Sequence, residues 1–285
     1  MTGGPRSAGD YHIRPFQTVA EYRECVRLQE ATWGEGFSER VAPAILHVSQ
    51  RLGGVASGAY DGEGRLVGFV FGMTGLDDEG LLHWSDMLAV RPEARDAGLG
   101  RRLKLYQREA VMARGVDRMV WTFDPLQSRN AYLNFMKLGA VARTYVRDMY
   151  GDTDSHLHRG IGTDRLVALW LMSTERVARR LAGADDLARS TLQGTSATLG
   201  WELGPTGHPR PGEALLDLEQ GQVSVAVPSD LEGLMKDSTE LAVAWRQTTR
   251  VVFETYLDRG YEARELIRQG PVSHYLMAMR TQDED

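Results

Sequence analysis

Cysteine and long apolar runs are what this chain of 285 residues lacks most. Its one cysteine, Cys25, excludes an internal disulfide framework and is typical of a reducing compartment, so we expect a cytoplasmic protein. No apolar stretch reaches the length needed to span a bilayer, and the small polar residues 1–10 contain no signal-peptide core. We therefore expect no membrane association, and a disordered tail over residues 1–10.

An excess of positive charge is also missing. The net charge of −6 argues against a general nucleic-acid binder. Against this background, a basic cluster stands out between residues 91 and 108. Its members are Arg91, Arg95, Arg101, Arg102, Lys104 and Arg108.

The stretch 81–108 reads as a strand, a glycine loop and a helix. Residues 81–90 are mostly apolar and predict a buried strand, which Pro92 stops. Gly98 and Gly100 follow in an Arg-x-x-Gly-x-Gly turn, where glycine allows a ligand to approach the backbone closely. The first amides of a helix are unpaired and lie at its positive end, so this turn predicts a phosphate site. The apolar face predicted for the helix consists of Leu99, Leu103, Tyr106, Ala110 and Ala113.

Other phosphate loops fit this turn less well. A P-loop is excluded because no Gly-x-x-x-x-Gly-Lys-Ser/Thr is present, and Leu103 occupies the position of the third glycine of a dinucleotide fingerprint. A plain glycine turn beside solvated arginines stays open from the spacing alone.

The run MLAVRPEARDAGLGRRL resembles the acyl-CoA-binding motif of the GNAT (Gcn5-related) N-acyltransferases. The resemblance implies an α/β (α+β) fold with a mixed, mostly antiparallel sheet flanked by helices. It implies acetyl-CoA or another acyl-CoA as co-substrate, with the strand end on the pantetheine arm and the loop amides on the pyrophosphate. The residues that it assigns to this ligand are Met87, Leu88, Ala89, Val90, Arg95, Asp96, Ala97, Gly98, Leu99, Gly100 and Arg101.

A second segment, SRNAYLNFMKLGA, resembles the second GNAT motif and predicts a helix over 130–138 that ends at Gly139. Ser128 stands at the usual asparagine position and Asn130 lies close by, so both are expected to contact the co-substrate. Phe135 stands where the family usually has the tyrosine that protonates the leaving thiolate. This departure puts the usual general acid in doubt.

Acyl transfer to an amine needs a group that removes a proton. Trp84, Asp86, Leu88 and Val90 share one face of the predicted strand, because side chains alternate with a period of two. The resemblance implies a base at Asp86, although a purely structural carboxylate stays open. His83 should point to the opposite face, which makes it the weaker candidate.

Tyr132, Tyr145 and Tyr150 are the tyrosines considered for the acid, and Tyr145 and Tyr150 are taken as site residues. Each also fits simple packing. His156 and His158 have no patterned third ligand, so no metal site is expected.

The organisation predicted is an acyltransferase domain over 11–172 and a smaller α/β extension over 173–285, with a linker at about 194–212. Within the extension, RVVFETYLDRGY faintly echoes the second motif, so a degenerate half and a lid both stay open.

The function predicted is direct transfer, in a ternary complex, of an acetyl or another acyl group such as succinyl. The acceptor expected is the primary amine of a small molecule such as an amino acid. The alternatives are a non-catalytic acyl-CoA-binding or regulatory protein and a nucleotide-binding module that uses the same loop. A homodimer is left open.

Overall fold

The computed structural model describes residues 11–95, 97–151, 160–183, 192 and 194–280. The predictions for the tail 1–10, for Asp96 and for His156 and His158 lie outside these residues. Among the described residues, the chain forms two compact units, one up to Trp121 and the other from Thr122 onward. The sequence places the division near residue 173 instead. No described helix is long and apolar enough to cross a bilayer.

The first unit contains a sheet in the order β1-β2-β3-β4-β5. All neighbours are antiparallel except β4 and β5, which are parallel. The element order, a strand, two helices and a meander leading into the glycine loop, is the order that the resemblance implies. The elements are β1 (His12–Pro15), α1 (Val19–Trp33), α2 (Pro43–Arg51), β2 (Val55–Tyr60), β3 (Leu66–Asp77), β4 (Gly80–Val90), α3 (Leu99–Met112) and β5 (Arg118–Phe123).

Helix α3 buries a different face from the one predicted. Tyr106 and Ala110 are half-buried and Ala113 is exposed. The helix is turned so that Lys104 and Gln107 face inward, where polar partners receive both side chains. The buried residues of α3 are Leu99, Leu103, Lys104, Gln107 and Val111.

The second unit contains a sheet in the order β7-β6-β12-β13-β11-β8 and a separate hairpin of β9 and β10. Its core includes Phe135, Trp170, Trp245, Phe253 and Tyr275. The elements are α4 (Ser128–Tyr132), β6 (Val141–Val146), β7 (Arg165–Leu171), α5 (Glu175–Leu181), β8 (Ser196–Ala197), β9 (Leu199–Leu203), β10 (Pro209–Ala214), β11 (Gln222–Pro228), α6 (Leu231–Asp237), α7 (Thr239–Asp258), β12 (Tyr261–Gln269) and β13 (Val272–Met279).

Two local predictions for this unit are wrong. The stretch 194–212, read as a linker, contains β8, β9 and the start of β10, because its glycines and prolines belong to an exposed hairpin. The sequence also predicts a strand over 145–151, whereas the structure has β6 (Val141–Val146), which begins soon after the glycine cap at Gly139.

Two helix–glycine–hairpin segments repeat within the second unit. After α4, a π-helical turn (Leu133–Leu138) ends at Gly139, which has φ 79° and leads into β6 and β7. Helix α7 is followed by Gly260, which has φ 88° and leads into β12 and β13. Positive φ at both positions favours glycine and turns the chain from helix to strand.

The two repeats meet strand against strand. Ala142 of β6 pairs directly with Ala263 of β12, and each alanine lies three residues after its glycine. The bulge of the first hairpin falls at Arg143 and the bulge of the second at Arg264, which are again equivalent positions. The carboxylate of Glu262 contacts both arginines. The two helix–glycine–hairpin segments are therefore arranged as a local pseudo-two-fold pair about Ala142 and Ala263.

Candidate functional site

A β-bulge lies in the middle of β4. The ladder pairs Met87 with Phe71 and Ser85 with Gly72, so Asp86 is the extra residue. Bulges of this kind disrupt the ladder and re-aim a side chain, and they are frequent beside active sites. The alternation of buried and more exposed residues along β4 keeps Asp86 on the face predicted from the sequence.

The bulge depends on a glycine across the ladder. A Cβ built on Gly72 would lie 2.3 Å from Nε2 of His83, 2.6 Å from the carbonyl oxygen of Trp84 and 2.8 Å from Nε2 of Gln107. The position opposite the bulge therefore has no room for any side chain.

Strand β4 loses its neighbour beyond the bulge. Its parallel pairing with β5 consists of His83 with Met119 and Trp84 with Val120. From Ser85 to Val90, β4 has no β5 partner among the residues that the structure describes. An extended ligand can pair with a strand edge of this kind as an added strand does.

The glycine loop at the end of β4 leads into helix α3. Gly98 is the N-cap of α3 with φ 69°, and it offers no side-chain hydrogen bond to the first amides. A Cβ built on Gly100 would meet only Leu88, at 3.8 Å. The first turn contains no acidic residue. A 14-residue helix thus presents the amides of its first turn and its positive end at this loop, as the phosphate prediction requires.

The basic cluster is only partly available at this loop. Arg95 is exposed and donates to the carbonyl oxygen of Val90 at 3.1 Å, which keeps it beside the strand end. Arg91 instead contacts Glu24, at 3.2 Å, and Lys104 is buried. Of the six basic residues of this segment, Arg91 and Lys104 are therefore not available to a phosphate.

The electrostatics of Asp86 differ from the buried setting predicted for it. Its side chain is exposed, although the surrounding protein withdraws enough water to raise the pKa of the carboxyl. The indole N–H of Trp84 donates to Oδ1 at 3.4 Å and opposes that rise. A solvent-reaching carboxylate with a raised pKa is suited to accept a proton.

The neighbouring His83 is the weaker candidate for a base. It is fully buried, between Thr74 and Gln107, and burial lowers its pKa to about 3. The ring is therefore neutral at physiological pH and closed off from a substrate.

The remaining site predictions fall in the second unit. Ser128 is buried and its hydroxyl donates to the carbonyl oxygen of Ser229 at 2.7 Å, whereas Asn130 is exposed. Phe135 is fully buried, with its ring centroid 5.8 Å from those of Phe123 and Tyr275. The side chain at the usual tyrosine position is thus part of an aromatic core.

The two candidate acids have different settings. The Tyr145 hydroxyl donates to Asp164 at 2.5 Å, and burial raises the pKa of Tyr145 strongly, so this side chain holds a proton tightly within an ionic network. Tyr150 is 39% exposed, and its hydroxyl lies 2.9 Å from that of Thr122. The guanidinium of Arg165 stands 5.1 Å from the Tyr150 ring centroid. Of the two, Tyr150 can reach a ligand.

Sequence reasoning missed the buried polar residues behind the bulge, Ser85, Lys104 and Gln107. Their only sequence signal was the interruption of the apolar pattern of α3 by Lys104 and Gln107. No group of three His, Cys, Asp or Glu residues suited to a metal occurs in the described part of the chain.

Comparisons with known proteins give structural likenesses only, since no protein-family profile and no curated protein matches the chain. The ribosomal-protein-S18-alanine N-acetyltransferase from Escherichia coli is 18% identical, with 57% of this chain and 95% of that chain covered and a TM-score of 0.45. A GNAT superfamily phosphinothricin acetyltransferase from Sinorhizobium meliloti, in complex with AcCoA, is 15% identical, with 60% and 97% covered and a TM-score of 0.46.

A GNAT family acetyltransferase from Elizabethkingia anophelis with acetyl-CoA bound is also similar, at 15% identity. The similarity covers 57% of this chain and 98% of that one, with a TM-score of 0.43. At TM-scores below 0.5, these likenesses carry no argument about the function of this chain.

Proposed function

We propose that this protein is an acyl-CoA-dependent N-acyltransferase of the GNAT type. One observation carries the proposal. In the first unit, a helix whose N-cap is a glycine follows, after a short loop, a strand that has no β5 partner beyond the bulge among the described residues. A thioester of coenzyme A has a pyrophosphate, which suits the helix N-terminus, and an extended arm with amide groups, which suits the strand edge.

The residues of this unit divide the work of binding. The amides of Leu99, Gly100 and Arg101 would bind the pyrophosphate, with Arg95 beside them. The open edge of β4 from Met87 to Val90 would pair with the pantetheine amides. A backbone N–H of the same edge would stabilise the negative charge that grows on the thioester oxygen during attack.

Asp86 supplies the acid–base step of the proposal. Most amines are ammonium ions at neutral pH and must lose a proton before they attack. A carboxylate with a raised pKa, at the beginning of the open edge, can accept that proton directly or through one water. We further propose that the acceptor is a primary amine of a small molecule, and that transfer is direct. For protonation of the departing thiolate, Tyr150 is the better candidate of the two tyrosines, because its side chain is the more exposed.

The absence of a hydroxyl at Phe135 favours a second candidate function, a protein that binds acyl-CoA without turning it over. Release of free coenzyme A in the presence of amines separates the two. Amine-dependent release supports the enzyme, whereas tight acyl-CoA binding without release at any tested amine supports the binding protein.

The loop assignment is tested by Gly100→Val, with Gly100→Ala as the matched control. The alanine methyl has space in the free protein, with only Leu88 at 3.8 Å, so both variants should fold. The larger valine should block the approach of a pyrophosphate and weaken acetyl-CoA binding more than tenfold, or about 1.4 kcal/mol. The alanine variant should lose less. A folded valine variant with wild-type affinity would remove the loop from the site.

A further inference from the structure

Behind the Asp86 bulge, a chain of hydrogen bonds runs through the interior of the first unit. Lys104 Nζ lies 2.7 Å from Ser85 Oγ, and Ser85 Oγ lies 2.8 Å from Gln107 Oε1. Gln107 Nε2 lies 2.9 Å from His83 Nε2, and His83 Nδ1 lies 2.9 Å from Thr74 Oγ1. These contacts tie two residues of β4, His83 and Ser85, to two residues of α3 directly before the bulge.

The donor and the acceptor of every hydrogen bond in this chain follow from its last member, Thr74. The single hydroxyl proton of Thr74 goes to the carbonyl oxygen of Gly53 at 3.1 Å, so His83 Nδ1 must donate to Thr74. His83 Nε2 is then an acceptor, which only the amide nitrogen of Gln107 can satisfy. The amide oxygen of Gln107 consequently faces Ser85 and accepts its proton. The Ser85 oxygen is left to accept from Lys104.

Lys104 is an unusual member of such a chain. Its described partners are a hydroxyl and the ring of Trp121, whose centroid lies 3.7 Å from Nζ, and they include no carboxylate. Burial therefore lowers the pKa of this lysine. His83, on β4, is the other titratable group among the hydrogen-bonded residues. The positive charges of Lys104 and Arg114 also lower its pKa. A buried ammonium group lowers the free energy of unfolding. We therefore look for a functional role of Lys104.

The hydrogen bonds hold β4 directly before the residue that the proposed function needs. His83 and Ser85 precede Asp86 on β4, and the missing side chain of Gly72 leaves the space in which His83 and Gln107 meet. Without the hydrogen bonds from α3, Ser85 would have no fixed partner and the bulge could relax toward a regular ladder.

We propose that Lys104 and Gln107 are positioning residues, which hold the bulge of β4 so that the carboxylate of Asp86 stays aimed at the open strand edge. This inference rests on the proposed function. It adds that the helix whose first turn binds acyl-CoA also fixes the base, through side chains one and two turns further along. A ligand at the N-terminus of α3 and the geometry of Asp86 thus depend on one rigid element.

The test uses the full-length protein with Lys104→Met and Gln107→Met, which keep side-chain length and remove the hydrogen bonds. Val111→Ala is the matched control for a general loss of packing, because Val111 lies on the same buried face of α3 but does not belong to the hydrogen-bond chain. Acetyl-CoA affinity should stay within about twofold in all three variants. Turnover should fall by about 10-fold to 100-fold in the two methionine variants, the loss typical of a misplaced catalytic group, and should be unchanged in Val111→Ala.

A second readout does not need turnover. The carboxyl carbon of Asp86, followed by NMR in protein labelled at aspartate, gives the titration midpoint of this group directly. Positioning predicts that the midpoint moves in both methionine variants, because a relaxed bulge changes how far the carboxylate is surrounded by protein. Gln107→Met changes no charge, so its effect cannot be electrostatic.

The outcomes separate this inference from the function on which it rests. A moved midpoint in both variants supports positioning, even if the wild type acylates no amine and the proposed function fails. An unmoved midpoint in folded Gln107→Met overturns positioning, even if the wild type is active. A shift in Lys104→Met alone also overturns it, since removal of the lysine charge would then be the whole effect.

Discussion

Replacing Lys104 by methionine should make the protein more stable. The side chain is 5% exposed, and its ammonium has one hydrogen bond and one aromatic ring as described partners. Methionine has a similar length and fills the same space without a charge. The change removes a buried cation while leaving the packing of α3 against the sheet in place.

The magnitude follows from three contributions. An effective penalty of several kcal/mol is relieved when a buried ion is removed. Against this, the contact with Trp121 contributes up to about 2 kcal/mol, and a hydrogen bond from a charged group about 1.5–3 kcal/mol. We expect a net gain near neutral pH of about 1 kcal/mol, the small remainder of larger opposing contributions.

The dependence on pH gives the sharper test. The pKa of Lys104 is lowered in the folded protein, so above that value the unfolded chain binds a proton that the native state does not. Wild-type stability should therefore rise with pH up to the ordinary lysine pKa of about 10.4. The methionine variant lacks this slope. Its advantage should be larger at pH 7 than at pH 10, as measured by urea denaturation at both values. A variant that is destabilised equally at both would refute the reasoning.

Four further substitutions test the candidate base, the two candidate acids and a buried ion pair. Asp86→Asn should keep acetyl-CoA affinity and lower the maximal rate by about 10²–10⁴-fold. It should also abolish the acidic limb of the pH–rate profile, which lies at a higher pH than for an ordinary aspartate because the pKa of the carboxyl is raised. Wild-type kinetics in this variant would make Asp86 structural. Tyr150→Phe should reduce turnover far more than Tyr145→Phe in steady-state assays, and the reverse order would exchange their roles. Arg246→Met should lower the free energy of unfolding by about 3–5 kcal/mol, because it takes the guanidinium, 2.6 Å away, from the buried carboxylate of Asp124; an unchanged denaturation midpoint would contradict this.

Local sequence patterns predict the first unit well because its decisive features are local. The glycine loop, the strand that ends at Val90 and the helix that begins at Leu99 each depend on neighbouring residues. The capping box of α1, formed by Thr18 and Glu21, is local in the same way. The bulge at Asp86 could not be predicted, since it requires the absence of a side chain at Gly72, fourteen residues earlier.

The orientation of α3 shows how a periodic pattern can mislead. Tyr106, Ala110 and Ala113 fit an apolar face, yet the helix buries Lys104 and Gln107 instead. Burial of a lysine is unfavourable in general. The local sequence of α3 does not show that the Ser85 hydroxyl on β4 and the Trp121 ring on β5 receive this side chain. The environment of Tyr145 was hidden in the same way, because its partner Asp164 is held by Arg250 from α7.

The pairing of Ala142 with Ala263 has a consequence for how this chain depends on concentration. A two-fold contact between like strands commonly joins two polypeptides, and dilution then separates them. Here both strands belong to one polypeptide, so their encounter is intramolecular and its effective concentration is fixed by the connecting chain. The edge of β6, which could otherwise recruit a strand from another molecule, is occupied by β12 at any dilution.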